Sequence, residues 1–297
     1  MNKTQEQKDI NLAIKYMLLS SFLFAFTGGF AKELSQYMSS IEIVFFRNVT
    51  GVAIILFAIY KSPLKQTGGK PFLLFMRGFI GFSALLMYFY NIANIPLAEA
   101  ITFNKLSPIF TALFSFILLK ETLSRYAWSG VFIGFFGILF ITGFDVNNLE
   151  KTDWLGILSG IGAGLAYTSI RELRKYYENR AIVLSFMLVG TIGPIILLII
   201  GEFYVSEQLD WVIGKFTMPT GIAWFLILGL GICATLMQIY LTKAYSLAQG
   251  GIVGTISYSN IIFSIIIGMI LGDMFPSSTI LIGIGFIIIS GILVTKK

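Results

Sequence analysis

Long apolar runs, separated by short polar stretches, recur along almost the whole of this chain. A helix needs about 20 apolar residues to cross a hydrocarbon core of about 30 Å. Ten runs approach that length: 13–31, 42–60, 71–92, 97–119, 126–144, 154–171, 181–201, 220–242, 250–271 and 277–295. They lack the strict alternation of barrel strands and are too long for single strands. Backbone groups in lipid must be satisfied within their own segment, so the runs read as helices. The fourth is interrupted by Asn104, Lys105 and Pro108, and the ninth by Ser257-Tyr258-Ser259-Asn260. The first run meets no small-x-small cleavage site before Lys32-Glu33 and reads as a retained helix, not a removed leader.

Composition agrees with the pattern. Of 297 residues, 56% are hydrophobic and 12% charged, where a soluble domain carries about 25% charged residues. With the first terminus cytoplasmic and ten helices alternating, fifteen of the 21 Lys and Arg fall in cytoplasmic segments. Three (Lys32, Lys151 and Lys215) fall outside, and Arg47, Arg77 and Lys105 fall within spans. This asymmetry follows the positive-inside rule. The expected fold class is therefore all-α integral membrane, with ten transmembrane helices in the cytoplasmic (inner) membrane and both termini cytoplasmic. The net charge of +6 is then a topology signal. No basic patch interleaved with aromatics lies outside the spans, so no nucleic-acid partner is expected.

Histidine is absent and Cys233 is the sole cysteine. That excludes an intrachain disulfide, metal sites built on His or Cys, and His-ligated haem. Serine–histidine and cysteine–histidine catalysis are excluded as well. No P-loop pattern is present, and no cofactor is expected. Cys233 reads as a small packing residue.

An internal repeat organises the chain. Leu19-Ser20-Ser21 through Lys32-Glu33-Leu34 matches Leu158-Ser159-Gly160 through Arg171-Glu172-Leu173 at an offset of 139, where Gly51 also meets Gly190. Further on the offset is 152: Tyr88 meets Tyr240, Ser107 meets Ser259, Pro108 meets Asn260, and Glu121 meets Asp273. The chain divides into halves at 1–147 and 148–297. Five helices per half is an odd number, so the second half is inverted in the membrane. Inverted repeats place a solute site near the midplane between the halves and suit alternating access.

Several stretches carry a resemblance to a known family: Phe45-Phe46-Arg47, Arg77-Gly78, the run from Ala93 to Ala100, Ser107-Pro108-Ile109-Phe110 and Leu118-Leu119-Lys120-Glu121. Trp128-Ser129-Gly130, Gly134-x-x-Gly137, Lys243 through Ala248, and Gly272-Asp273 extend it. The chain resembles the drug/metabolite transporter superfamily, of the ten-helix type with two EamA domains. It departs from the family pattern at Asn260 and Asp273. The resemblance implies a carrier of amino acids, nucleobases, vitamins or similar metabolites, with a small-molecule substrate, the lipid bilayer as surroundings, and a monomeric or homodimeric state. A membrane-embedded lipid-modifying enzyme is the alternative, but its nucleophile, base or metal cluster is missing. A non-transporting membrane subunit would not need a lysine inside a span.

The polar residues within spans are the candidate site. Lys105 lies about 12 Å into its helix, where a cation costs about 2.5–3.5 kcal/mol. It reads either as a counter-charge to a substrate carboxylate or phosphate, or as a snorkelling lysine held by carbonyls freed near Pro108. Asn104 and Ser107 share a face three residues apart. Ser257, Tyr258 and Asn260 occupy the equivalent stretch, as substrate ligands or as links between helices. Asn91 and Gln238 add polar groups, and Tyr88 and Tyr240 are expected to face each other over the cavity. Arg47 and Glu99 are expected to pair near the outer face, as an external gate or a structural ion pair. Arg77 reads as an anchor to lipid phosphates in preference to an inner gate. Glu121 and Asp273 read as capping residues. The glycines of Gly156-x3-Gly160-x3-Gly164 allow close helix packing, and Trp154, Trp211 and Trp224 fit an interfacial belt.

Overall fold

The computed structural model describes residues 3–65, 68–120, 122, 124–141, 149–204, 206–247 and 256–294. Among the described residues the chain is helical, without strands: α1 (Lys3–Leu34), α2 (Ser40–Lys61), α3 (Pro71–Asn94), α4 (Leu97–Asn104), α5 (Ser107–Leu119), α6 (Arg125–Ile141), α7 (Lys151–Leu173), α8 (Asn179–Phe203), α9 (Ala223–Leu247), α10 (Ser259–Ile270) and α11 (Ser278–Val294). A short 3₁₀ turn, Glu207–Leu209, lies between α8 and α9. Within these, six segments are long and apolar enough to cross a membrane, one of them the continuous stretch Leu97–Leu118. Helices α6, α10 and α11 are apolar but shorter. The sequence of α7 is diluted by Gly and Ser, which lowers its hydropathy without shortening it. The chain is a multi-pass membrane protein. Residues 142–144, which close the fifth expected span, and 250–255, which open the ninth, lie outside the described residues.

The surface fits a lipid solvent. Phe57, Phe132, Phe136, Phe225, Ile262 and Ile270 are exposed, as are Trp154 and Trp224 near helix ends. An apolar surface of this extent would drive association in water. Polar side chains turn inward instead and bond across helices. Ser20 Oγ donates to the Met237 carbonyl, Ser159 Oγ to that of Ala84, and Ser290 Oγ to that of Gly130.

Helices pack in antiparallel pairs, α1 with α9, α3 with α7, α2 with α8 and α6 with α11. Small residues set the closest approaches. Gly51 faces Met187, and Gly190 faces Asn48. The glycine stripe of α7 receives the α4–α5 segment. A Cβ on Gly160 would lie 2.9 Å from Leu106 Cβ and 3.0 Å from the Phe103 carbonyl, and one on Gly164 3.0 Å from the Ser107 carbonyl.

That segment is broken. The helix stops at Asn104 and restarts at Ser107, because Pro108 has no N–H to give the Asn104 carbonyl and its ring crowds that turn. The junction tightens into three-residue bonds, from Leu106 N to the Phe103 carbonyl and from Ile109 N to that of Leu106. A second turn falls at Tyr258, just before α10, without a proline.

Loops clamp both ends. On the face carrying the N-terminus, Lys65 N–H donates to Glu178 at 2.6 Å, and Lys70 pairs with Glu172 at 2.7 Å. Hydrogen bonds from Lys175 and Lys70 pull the half-buried Glu172 carboxyl down to about 2. On the opposite face, Thr217 N–H donates to Glu42 at 2.6 Å, and Glu42 also closes the capping box of α2 with Ser39.

Gly160→Leu is expected to wedge α7 away from the α4–α5 break. Size-exclusion chromatography and thermal unfolding of the detergent-purified variant check this. The expected result is aggregation or a loss of several degrees, whereas Gly285→Ala, where an added Cβ has open space, leaves both unchanged.

Candidate functional site

The two helix interruptions meet. Lys105 Nζ lies 3.5 Å from Ser257 Oγ, and Tyr258 OH 3.5 Å from the Lys105 carbonyl. Both contacts are at the long end of hydrogen bonding. The ammonium also sits over the Phe24 ring at 5.5 Å. Phe24 in turn packs on Tyr88, with ring centroids 5.8 Å apart. Four elements thus converge: α1 through Phe24, α3 through Tyr88, the α4–α5 break through Lys105, and the start of α10 through Ser257 and Tyr258. Lys105 is half-buried, whereas Ser257, Tyr258 and Asn260 are buried. Tyr258 also rests against Gly291 of α11.

A second cationic group lies in the same bundle. Arg47 from α2 and Arg77 from α3 both lie over Phe186 of α8, at 5.8 and 4.7 Å. Arg47 Nη1 donates to Asn48 Oδ1 at 3.0 Å. Among the described residues no carboxylate pairs with Arg47, Arg77 or Lys105. Tyr88 lies within electrostatic reach of Arg47, and Tyr167 of α7 within reach of both arginines. Tyr167 and Phe186 were not legible in the sequence as site residues. An aromatic in an apolar run carries no mark, and only the packing of α7 and α8 on α3 brings them in.

Several expectations are corrected. Arg47 does not pair with Glu99. An ion pair at that end joins Lys32 to Asp273, and Glu99, half-buried, lies within electrostatic reach of both. Lys32 Nζ also donates to the Ile95 carbonyl, and Asp273 accepts the N–H of Leu97 at 2.8 Å, capping α4 from the turn after α10. Depth along the sequence placed Arg47 and Glu99 together, but the two side chains leave their helices in different directions. Arg77 does not snorkel, because α8 covers it and it is buried against Phe186. Tyr88 and Tyr240 have different ring partners. Tyr88 packs on Phe24 and Phe89, while Tyr240 stacks on Tyr16 at 5.7 Å beneath Lys243.

The remaining candidates are spread out. Asn91 donates to the Thr152 carbonyl at 2.8 Å, which ties α3 to the start of α7. Ser107 is buried and its carbonyl accepts from Thr111. The break between Asn104, which is half-buried, and Ser107 removes the common face that a continuous helix would give them. Gln238 is half-buried on α9. Glu121 lies outside the described residues.

A hollow of about 740 Å³ lies at the surface beside the α7–α8 turn, where Lys65, Arg174, Lys175 and Arg180 line it with Glu178. It is a basic basin at the face carrying the N-terminus, apart from Lys105.

Comparison with known proteins follows the same lines. The EamA-like transporter family matches residues 11–143. The chain is similar to an uncharacterized transporter of Helicobacter pylori (strain ATCC 700392 / 26695), 34% identical over 290 residues, which covers 96% of this chain and 95% of that protein. It is similar to the pseudopaline exporter CntI of Pseudomonas aeruginosa (strain UCBPP-PA14), 30% identical over 282 residues and 94% of each chain. A solved crystal structure shares the fold, with a TM-score of 0.61 at 18% identity over 97% of this chain and 96% of that one.

Asp273→Ala removes both the α4 cap and the partner of Lys32. Loss of a cap costs about 0.5–2 kcal/mol, so a fall of a few degrees in the unfolding midpoint is expected. Asp273→Asn, which keeps an acceptor for Leu97 N–H, is expected to lose less. Thermal unfolding in detergent measures both.

Proposed function

We propose that this chain, which belongs to the EamA-like transporter family of the drug/metabolite transporter superfamily, is a secondary carrier of a small polar or amphipathic metabolite. It works in the cytoplasmic membrane by alternating access between two inverted five-helix halves, 1–147 and 148–297.

The observation that carries this reading is the meeting of Lys105 with Ser257. The two positions are 152 apart, the offset of the sequence repeat, and each lies beside a helix interruption. Residues related by a two-fold axis touch only where that axis passes between them, so the contact favours an axis through the two breaks. Other pairs support the same relation. Gly51 on Met187 exchanges with Gly190 on Asn48 at an offset of 139. Gly130 on Val294 exchanges with Gly283 on Ile141 at an offset of 153. Lys65 and Thr217 are 152 apart, and a carboxylate accepts the backbone N–H of each, Glu178 at one face and Glu42 at the other. Inversion also accounts for Tyr88 and Tyr240. Each lies six or seven residues from a helix end, and exchange of the halves sends them to opposite depths.

On this reading Lys105, Ser257 and Tyr258 contact the solute, with Tyr88 and Phe24 as an aromatic wall. Asn260 belongs to the same stretch. The Lys32–Asp273 pair closes the outer face, and the excess of Lys and Arg sets the face carrying the N-terminus in the cytoplasm.

Transport into proteoliposomes tests the function, with labelled amino acids, nucleosides, vitamins and carboxylates as probes. At least one probe should cross faster than into empty vesicles, and Lys105→Ala should cut that rate at least tenfold while elution and unfolding midpoint stay at wild-type values. Wild-type rates in Lys105→Ala would remove Lys105 from the path.

A further inference from the structure

Arg47 and Arg77 are 5% and 4% exposed, yet Arg47 Nε and Arg77 Nε and Nη1 have no hydrogen-bond partner among the described residues. Buried donors of this kind are expensive to leave unmade, and a charge within a membrane span needs a partner or a cavity. The ring of Phe186 attracts each guanidinium charge but supplies no hydrogen-bond acceptor comparable to an oxygen for its N–H groups. Local structure keeps the arginines there. Asn48 uses its amide nitrogen on the carbonyls of Val44 and Gly190, at 2.9 and 3.0 Å, so its oxygen is turned to Arg47. Gly81 leaves space beside the stack, since a Cβ there would come within 3.3 Å of Arg77 Nη1 and 3.1 Å of Phe186. Tyr88 OH, also buried and unpartnered, lies within electrostatic reach of Arg47. Tyr167 of α7 lies within electrostatic reach of both arginines.

We infer that the paired guanidiniums of Arg47 and Arg77 form an anion subsite, and that the solute is an organic anion with at least two negative groups, one held there and one at Lys105. The inference rests on the carrier reading above and names its substrate class. Three cations without a carboxylate among the described residues are not neutralised by a neutral solute or a zwitterion. Planar N–H forks suit the two oxygens of a carboxylate, and the tyrosine hydroxyls add neutral donors.

The test is binding to the purified full chain in neutral detergent, measured by thermal shift and titration calorimetry, with isosteric probes that differ in charge. These are succinate, succinamate and succinamide, and tricarballylate beside its triamide. The expected result is that binding strengthens with each added charge and that the neutral amides do not bind. Arg47→Gln and Arg77→Gln should each weaken tricarballylate at least tenfold, with partial recovery in Arg77→Lys. Should a glutamine variant fail to elute as a single species, the charge series on the wild type decides alone. Equal binding of acids and amides overturns the inference, as does unchanged affinity in both glutamine variants. So does a site that phosphatidylglycerol fills and no carboxylate enters, which would make it a lipid headgroup site. In proteoliposomes, a neutral metabolite that crosses without inhibition by any of these acids sinks this inference and leaves the carrier reading standing. Failure of every solute to cross sinks both.

Discussion

A charge at membrane depth has to find its partner within the protein, and much of this fold answers that requirement. Arg47 and Arg77 lie inside helices and Lys105 in the α4–α5 break, without a carboxylate against any of them among the described residues. Aromatic faces take that place. Phe24 lies under Lys105, and Phe186 under both arginines. Such contacts are worth about 0.5–2 kcal/mol each, less than the about 2.5–3.5 kcal/mol that a central cation costs on insertion scales. The shortfall is what an incoming solute anion would make good.

The same requirement shapes the backbone. A helix can be interrupted in a membrane only where protein covers the freed groups. The α4–α5 break satisfies this by lying in the glycine stripe of α7, where the carbonyls of Phe103 and Ser107 approach closely. The turn at Tyr258 is covered by Gly291 and by the α4–α5 break itself. On the proposed inverted arrangement these are one feature seen twice, and the solute path runs where the two meet. The α6–α11 pair and the loops held by Glu42 and Glu178 tie residues 1–147 to residues 148–297 away from that seam.

How much of this the sequence carried depends on position. The all-helical, multi-pass character was legible because long apolar runs are a one-dimensional signal. The equivalence of the Lys105 and Ser257–Asn260 stretches was legible in the repeat offset, while the contact of Lys105 with Ser257 is seen only in the structure. The same offset misled for Tyr88 and Tyr240, since on the proposed inverted arrangement depth is mirrored and their positions are away from the midplane. Arg47 and Glu99 were matched by depth alone, which leaves the direction of each side chain around its helix undetermined. Arg77 resembled an anchor because it lies near a helix end, and only the neighbouring α8 reveals that it is covered. Lys32 and Asp273 are 241 positions apart, with nothing local to join them.

The central claim is that the seam between the α4–α5 break and the start of α10 opens to each side of the membrane in turn. Ser257 touches Lys105 and is small, so Ser257→Cys in a Cys233→Ala background places a single thiol there with little change of volume. Labelling with a membrane-impermeant maleimide in right-side-out and in inside-out vesicles reads its access directly. Alternating access predicts labelling from both sides, each partial at any moment and each going to completion with time. A thiol that reacts from one side only, or from neither, would contradict it.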